Sequence, residues 1–532
     1  MKHWIKKANN RVSFGGVTVL LIAMALFGQT LGFFRNRLVS TNFTLIDPGS
    51  TDAFFAAFQI PDFFFLTIAA GALGVAVVPV LADRLHKGDK EGMWEITSSL
   101  LNLLGIIMAI VAVIIFIFAR PLLHNIVAPN LSPHNLDQAT QIMRLIALNP
   151  LLFTLSGIIT SVQQTYGRFF FYAIAPLFYN LSIIISVYIF KTHLGVVGLG
   201  VGAVVGAFAQ LLVATFGLWG LGFKYRLKIN FKTNDFKQVA HALPARSIDQ
   251  GIDSINNIVE TNRANILAHG TVSYYNFATT LANVPIMLFG NAIATAAFPR
   301  LAGRLAEGRP DLFHADFFRI LRLMIWLAMP VVVVSYFTRG YLARLLFGEV
   351  APEVSLIFGY LTIAIFFRIV YSIVSRYFYA QKDTKTPLLV SLFAIGVNVI
   401  LVFNLARPTA YGSAGLALAQ STTAAVEVLL LFIIMVVRDK YILNRAFWGS
   451  VIRIVSVTGF SVMTAFVMVT ILPLQLADRG FVTLGFKFGA IAGSTILVHV
   501  GMSLLFGLDE PRPVLRRIGQ FIMKPVRVDY QG

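Results

Sequence analysis

The stretch PVLADRLHKG at residues 79–88 returns as PRLAGRLAEG at residues 299–308, about 220 residues later in the chain. Both copies share the pattern P-x-L-A-x-R-L-x-x-G, and each copy follows an apolar run that is long enough to cross a bilayer. A pattern that recurs at the same place in two series of apolar runs indicates two halves of one topology. The sequence therefore predicts a membrane protein built from an internal repeat.

Apolar runs recur along the whole chain. The 532 residues are 57% hydrophobic and only 13% charged, whereas soluble proteins are about 25% charged. Because backbone polar groups in lipid have to be satisfied within the segment, these runs are expected to be helices. The predicted spans are 12–33, 53–81, 96–119, 138–160, 169–190, 195–221, 239–268, 273–298, 316–337, 354–378, 387–405, 412–436, 450–472 and 482–507. We expect an all-α integral membrane protein with about fourteen transmembrane helices.

Lysine and arginine alternate between the predicted loops. They cluster at the amino terminus, in every second loop and in the carboxyl tail, so both termini are expected in the cytoplasm. The net charge of +19 is assigned to these loops and to contact with anionic membrane lipids. We found no basic-aromatic motif that is typical of a nucleic-acid partner.

The repeat sets the predicted domain organisation. Six helices per copy keep the same orientation, which predicts two parallel lobes around a central cavity that holds the substrate. We expect an amino-terminal lobe at 1–225, a carboxyl-terminal lobe at 226–445, and helices 13 and 14 with a basic cytoplasmic tail at 446–532.

The seventh predicted helix carries a polar stripe. Its members, spaced by four, three, four and three residues, fall on one helical face: Asp249, Asp253, Asn256, Glu260 and Arg263. The carboxylates are candidates for a coupling or cavity site that binds a proton or a monovalent cation, and Arg263 is a candidate contact for a substrate headgroup. The alternative is an internal Glu260–Arg263 pair that stabilises a wet helix interface.

Four further charged residues are candidates for substrate binding. Arg35 ends the first predicted helix and Asp52 opens the second, while Arg144 and Arg368 lie inside the fourth and the tenth. Arginine binds phosphate groups in a bidentate way and keeps its charge when it is partly buried. The alternative for residues at helix ends is that they reach towards the membrane interface.

The sequence shows no motif of an enzyme. It has no cysteine, no Walker A loop, no G-x-S-x-G elbow and no clustered histidines. We therefore expect no catalytic residue, no metal site and no cofactor, apart from the coupling ion. Proline at positions 61, 150 and 285 is expected to kink the second, fourth and eighth helices.

Two longer stretches resemble the MviN/MurJ family of the multidrug/oligosaccharidyl-lipid/polysaccharide exporter superfamily. They are LGFFRN at residues 31–36 with TDAFFAAFQIP at residues 51–61, and FYAQKDTKTP at residues 378–387. The resemblance extends over almost the whole chain. It implies a monomeric flippase in the bacterial cytoplasmic membrane that carries lipid II, the undecaprenyl-diphosphate-linked precursor of peptidoglycan, to the outer leaflet by alternating access.

The chain departs from the family pattern at several positions. Where members of the family carry arginine, this sequence has Gln29, Phe65, Leu66 and Thr280. Arg35 and Asp52 match family positions, and Arg144, Arg263 and Arg368 are expected to supply the missing positive charge. The lost arginines leave open an exporter of another polyprenyl-linked glycan or amphipathic compound. A non-transporting scaffold in envelope assembly is a third alternative, although it gives no reason for the polar stripe.

Overall fold

The computed structural model describes residues 14–43, 50–70, 77–230, 251–439, 445–512 and 515–516. These residues form helices joined by turns and loops, and none of them lies in a β-strand. Twelve of the described helical segments are long and apolar enough to cross a membrane. The prediction of an all-α membrane protein is therefore confirmed for this part of the chain.

The helices follow the predicted apolar runs closely. In chain order they are α1 (Phe14–Phe43), α2 (Ser50–Phe64), α3 (Val78–His86), α4 (Lys90–Leu122), α5 (Pro133–Ile146), α6 (Asn149–Thr165), α7 (Phe170–Phe190), α8 (Val197–Phe216), α9 (251–266), α10 (Thr271–Pro285), α11 (Ala292–Ala306), α12 (Pro310–Phe337), α13 (Arg339–Phe347), α14 (Ala351–Ala380), α15 (Lys385–Leu405), α16 (Gly412–Arg438), α17 (Arg445–Ile471) and α18 (Phe481–Leu505). Short π-helices continue α2, α4 and α10, over Phe65–Ala70, Leu123–Val127 and Ile286–Asn291.

The first and seventh predicted helices correspond to α1 and α9. Both segments are helical, but neither belongs to the twelve apolar spans. The described part of α9 is shorter than the roughly 20 residues that a bilayer requires, because residues 239–250 of the predicted span lie outside the described residues. The total of fourteen helices therefore stays a prediction.

Proline accounts for the irregular parts of several helices. Pro61 lies in α2 shortly before a π-helix, and Pro285 immediately precedes another. Because proline donates no backbone hydrogen bond, the regular α-helical ladder is loosened around it. Pro150 lies in the first turn of α6, directly after a two-residue break that follows α5. The two helices together form one apolar span, Pro133–Thr165, so the fourth predicted span is a single span that is interrupted next to its proline.

The chain divides into two compact units. Unit 1 contains residues 1–276 and 399–413, and unit 2 contains residues 277–398 and 414–532. Unit 1 includes α9 and the first turns of α10, while α17 and α18 belong to unit 2. Compactness and internal repetition are different criteria, so the predicted lobe boundaries at residues 225 and 445 stay predictions.

Both copies of the repeated motif end a helix in the same way. Gly88 follows α3 with a φ of 73°, and Gly308 follows α11 with a φ of 69°. This left-handed conformation favours glycine, which explains why the motif closes on that residue. The motif arginine binds acids next to the turn in both copies, Asp89 for Arg84 and Glu307 for Arg304. The shared pattern thus ends a helix and places an ion pair next to the helix end.

A second pair of turns is also repeated. After α6, the N–H of Gly167 binds the Gln164 carbonyl and the N–H of Arg168 binds the Gln163 carbonyl. After α14, the same pattern joins Lys382 to Tyr379 and Asp383 to Phe378. Both turns have a left-handed residue at the equivalent position, where φ is 73° in the first turn and 62° in the second. These are matching Schellman turns.

Helix α8 packs tightly against α7 within unit 1 along a stripe of glycines spaced by four residues. A Cβ atom at Gly202 would lie 2.2 Å from Oγ of Ser186, and one at Gly206 would lie 2.9 Å from the carbonyl oxygen of Tyr179. Small residues at this spacing allow helix backbones to approach closely in a membrane. The contact fixes α7, which contributes a polar side chain to the site described next.

Candidate functional site

Arg35 is held by side-chain amides on α1 and α7. Its Nη1 donates a hydrogen bond of 2.9 Å to Oδ1 of Asn180, and its Nε and Nη2 donate to Oδ1 of Asn36 at 3.2 and 3.0 Å. These partners are neutral, so they fix the half-buried guanidinium without cancelling its charge. Asp62 of α2 interacts with it electrostatically. Asp62 was not predicted as a site residue, although a carboxylate inside an apolar span is itself a signal of function.

Asp52 fixes the start of α10. Its side chain is 3% exposed, and its oxygens accept hydrogen bonds from the N–H of Gly270 at 2.7 Å, the N–H of Ser273 at 2.9 Å and the Ser273 hydroxyl at 2.6 Å. The first N–H groups of a helix have no partner inside the helix, and an acid at that end satisfies them. Asp52, which was predicted to contact the substrate, therefore joins α2 to the start of α10.

The polar face of α9 is buried in part. Asp249 lies outside the described residues, Asp253 is exposed, and Asn256 and Glu260 are buried. Oε1 of Glu260 accepts a hydrogen bond of 3.1 Å from Asn256, and Oε2 accepts one of 2.9 Å from the Tyr275 hydroxyl of α10. Asp52 and Glu260 therefore both bind the beginning of α10, Asp52 at Gly270 and Ser273 and Glu260 at Tyr275.

Arg263, at the other end of the same face, has a different environment. Its guanidinium lies 4.8 Å from the centre of the Phe403 ring, and its buried Nε has no hydrogen-bond partner among the described residues. Within the same residues it forms no ion pair, so the alternative of an internal Glu260–Arg263 pair is not observed. A half-buried arginine without a counter-charge is suited to bind an anion.

Arg144 lies apart from these groups. It is exposed, its Nε donates a hydrogen bond of 3.2 Å to the Phe116 carbonyl, and its guanidinium lies 5.6 Å from the centre of that ring. The Phe116 side chain is itself 54% exposed. This environment fits an arginine that reaches along the outside of a helix better than one that binds substrate.

Arg368 forms an ion pair inside unit 2. Its Nη1 lies 3.0 Å from Oε2 of Glu427, a carboxylate of α16 that is 3% exposed, and the other oxygen of Glu427 accepts a hydrogen bond of 2.6 Å from Ser391. The Tyr371 hydroxyl lies 3.1 Å from the same serine oxygen. The sequence analysis missed Glu427, which is a lone acid in an otherwise apolar helix. Its charge compensates that of Arg368.

The turn at Asp383 belongs to the stretch that resembles a known family. Asp383 accepts hydrogen bonds from the backbone and the hydroxyl of Thr386, at 3.0 and 2.6 Å, and pairs with Arg438 at 2.6 Å. Partial burial disfavours the charged carboxylate, but these hydrogen bonds outweigh it and lower the pKa of Asp383 to about 2. The turn is thus a charged staple between α14, α15 and α16.

The described residues contain no group of three or more histidine, cysteine, aspartate or glutamate side chains that could hold a metal ion. The candidate site consists of several polar clusters inside apolar helices. In unit 1 these clusters surround Arg35, Asp52 with Glu260, and Arg263. In unit 2 the cluster surrounds Arg368. Such clusters suit the recognition of a charged group more than covalent chemistry.

Comparisons with known proteins give a consistent result. A family model described as "Lipid II flippase MurJ" matches residues 47–484. A protein of Borreliella burgdorferi named "Probable lipid II flippase MurJ" is 25% identical over 459 residues, which are 84% of this chain and 87% of that protein. The relative therefore aligns with the chain along most of both lengths.

Solved structures share the fold. The structure titled "Lipid II flippase MurJ, inward closed conformation" matches with a TM-score of 0.77 and 20% identity, and the match covers 94% of this chain and all of that one. An inward-facing multidrug resistance MATE family transporter of the MOP superfamily matches with a TM-score of 0.63 and 15% identity over 78% of this chain and 95% of its own.

Proposed function

The chain belongs to the lipid II flippase MurJ family, and on that premise we propose that it moves lipid II from the inner to the outer leaflet of the bacterial cytoplasmic membrane. The support is the family match over residues 47–484 together with the shared fold. A large polar headgroup cannot cross lipid unshielded, because buried charges cost several kcal/mol each. Transport by alternating access provides that shielding.

The proposed topology follows the repeat. Fourteen helices form two parallel six-helix lobes around a substrate cavity, with two further helices at the carboxyl end and both termini in the cytoplasm. The matching helix stops at Gly88 and Gly308 and the matching turns at Gly167 and Lys382 support the parallel arrangement. The alternation of basic loops supports the orientation. The protein acts as a monomer in this proposal.

One observation carries the proposed substrate site: Arg263 is half-buried and has no counter-charge among the described residues. A diphosphate supplies that counter-charge and can accept two parallel hydrogen bonds from the guanidinium. Arg35 is a second contact, because its hydrogen-bond partners are neutral amides and Asp62 acts on it electrostatically without an ion-pair contact among the described residues. Arg35 matches a family position, and Arg263 supplies part of the positive charge that the family pattern places at Phe65, Leu66 and Thr280.

Three other predicted residues receive different roles. Asp52 positions α10, since three donors of that connection occupy its oxygens. Arg368 serves as half of a buried ion pair with Glu427 that holds α14 to α16. Arg144 stays a peripheral residue beside Phe116. The residues proposed to contact the diphosphate are therefore Arg263 and Arg35, which form no ion pair among the described residues.

The carboxylates of α9 are the proposed coupling groups. Asp253 is exposed and Glu260 is buried against Tyr275, so protonation or cation binding at this face changes a contact of α10 directly. Moving one charge through a potential of 100 mV supplies about 2.3 kcal/mol, which is enough to bias an alternating-access cycle. The coupling ion in this proposal is a proton or a monovalent cation.

A second candidate function is the export of another polyprenyl-linked glycan. It is favoured by the apolar residues at positions where the family pattern has arginine. The Phe65 ring lies 5.4 Å from that of Phe153, centre to centre, so this position is part of an aromatic contact. A substrate with a less charged headgroup would suit such a surface.

The direct test is transport in vesicles. Purified protein is reconstituted with lipid II, and the share of lipid II that a membrane-impermeant reagent can reach is followed with time. We expect that share to rise faster than in protein-free vesicles, and Arg263→Ala to abolish the difference while Arg339→Ala retains it. Equal rates with and without the parent protein would rule out lipid II flipping, and a parallel assay with a monophosphate-linked glycan would then test the second candidate.

A further inference from the structure

Helix α14 presents a polar face within unit 2. Arg368, Ser372 and Arg376 are spaced by four residues and therefore lie on one side of the helix. The Ser372 hydroxyl lies 3.1 Å from Oδ1 of Asn291, which ends the π-helix after α10. A Cβ atom at Gly290 would lie only 2.9 Å from the Ser372 oxygen. The irregular segment next to Pro285 is thus packed directly on this face.

The last arginine of this face, Arg376, has an unusual environment. Its guanidinium lies over two aromatic rings, 5.6 Å from the centre of Phe298 and 5.5 Å from the centre of Tyr379. The side chain is half-buried, and its buried Nε has no hydrogen-bond partner among the described residues. Within that part of the chain no carboxylate pairs with it. Two rings hold the guanidinium in place without cancelling its charge.

Neighbouring arginines of unit 2 have the carboxylate partner that Arg376 lacks among the described residues. Arg368 pairs with Glu427, and Arg300 pairs with Asp316 at 2.6 Å. Aromatic faces compensate only part of the cost of removing a cation from water. The only other arginine among the described residues that combines a buried, unbonded Nε, an aromatic contact and no paired acid is Arg263. Arg376 therefore shares the features that make Arg263 a phosphate contact.

We propose that Arg376 is a further phosphate-binding residue, which takes the diphosphate of the lipid-linked substrate at the end of α14. This inference rests on the proposed function, because that function supplies the diphosphate. The planar guanidinium can donate two parallel hydrogen bonds to one phosphate group. Phe298 and Tyr379 contact the guanidinium, and the adjacent turn at Lys382 places a second positive charge at the same end of the helix.

Binding of farnesyl diphosphate, a short polyprenyl diphosphate, to the purified full-length chain tests this assignment. The variants are Arg376→Gln, which removes the charge, and Arg376→Lys, which keeps the charge but loses the planar fork. Arg339→Gln is the matched control, since Arg339 also belongs to unit 2 and lies 4.4 Å from the centre of the Tyr336 ring. Thermal unfolding of each variant separates a loss of binding from a loss of structure.

We expect Arg376→Gln to weaken binding by about tenfold, as for a lost charge-assisted hydrogen bond, and Arg376→Lys to weaken it by about threefold. The control should stay close to the parent, and the thermal midpoint of Arg376→Gln should stay unchanged. Binding that is unaltered in Arg376→Gln, or a parent that does not bind farnesyl diphosphate, would overturn the assignment.

The outcome also separates this inference from the proposed function. A parent that flips lipid II in vesicles together with an unaltered Arg376→Gln affinity would overturn the role of Arg376 alone. A parent that binds farnesyl diphosphate through Arg376 but does not flip lipid II would overturn the proposed substrate and leave the phosphate site standing.

Discussion

At the scale of single residues, the charged side chains inside the helices differ mainly in their partners. Arg368 is compensated by Glu427, Arg35 is oriented by neutral amides, and Arg263 lies over an aromatic ring with its Nε unbonded among the described residues. The free-energy cost of a charge in an apolar environment depends on such partners more than on the residue type. The three arginines are therefore expected to respond differently to substitution.

Arg368 and Glu427 are suited to a double-mutant cycle. Glu427 is buried and Arg368 is half-buried, so removing one partner leaves the other charge partly uncompensated, and Arg368→Gln and Glu427→Gln should each lower the free energy of unfolding by about 2 kcal/mol. The double variant should recover most of that loss. Thermal unfolding of the purified variants measures the cycle, and additive losses would show that the ion pair contributes nothing.

Asp52 is expected to act through stability. Asp52→Ala leaves the N–H groups of Gly270 and Ser273 unsatisfied in a buried position, which should cost about 1–3 kcal/mol for each group. Asp52→Asn retains one acceptor oxygen and should cost less. We expect the membrane abundance and the thermal midpoint to fall in this order. Full abundance of Asp52→Ala with lost transport would contradict the structural role and restore a direct substrate contact.

The residue types of the candidate site could be predicted from the sequence, but their partners could not. Arg263 and Arg368 were predicted as site residues because they are charged side chains inside apolar runs, and such side chains are costly in lipid. The pairing of Arg368 with Glu427 joins positions 59 residues apart, and the contact of Asp52 with Gly270 joins positions 218 residues apart. No local pattern encodes these contacts, since they depend on how the helices pack.

At the scale of elements, the two Schellman turns provide a matched pair. Gly167 and Lys382 occupy equivalent left-handed positions, where a Cβ atom costs about 1–2 kcal/mol. Gly167→Ala should therefore lower the free energy of unfolding by about 1 kcal/mol. Lys382→Ala is the control, because lysine already has a Cβ atom, and it should change little. Equal losses in thermal unfolding would contradict the equivalence of the turns.

The staple at Asp383 should be sensitive to acid. Its pKa of about 2 in the folded chain lies below the unfolded value of about 3.9. The stabilisation from the ionised group is therefore complete above about pH 4 and is lost as the pH falls towards 2. We expect the thermal midpoint of the parent to fall more steeply between pH 5 and pH 2.5 than that of Asp383→Asn. Parallel curves would show that the staple does not contribute.

The apolar runs predict where the helices lie, but they do not predict the form of the irregularity at each proline. The predicted span 138–160 is divided because Pro150 is at the start of a helix, where its missing N–H costs nothing. The same residue type inside α2 leads into a π-helix. The sequence shows a proline in both cases, but it does not show whether the helix continues as a π-helix or is interrupted.

At the scale of the whole molecule, the repeat links the sequence to the function. Two copies of P-x-L-A-x-R-L-x-x-G end helices in left-handed glycines, and two Schellman turns follow in the same order. Duplicated halves suit alternating access, because they provide two similar sets of helices whose relative preference a bound substrate or ion can change. The proposed alternating-access mechanism therefore depends on the fold as a whole, whereas the proposed recognition of the diphosphate depends on single arginines.

Complementation tests the central claim most directly. The chain is expressed in a bacterium whose own lipid II flippase can be switched off, beside Arg263→Ala and the control Arg339→Ala, with equal membrane abundance verified. We predict that the parent and the control restore growth and that Arg263→Ala does not. Failure of the parent to restore growth at normal abundance would contradict the account.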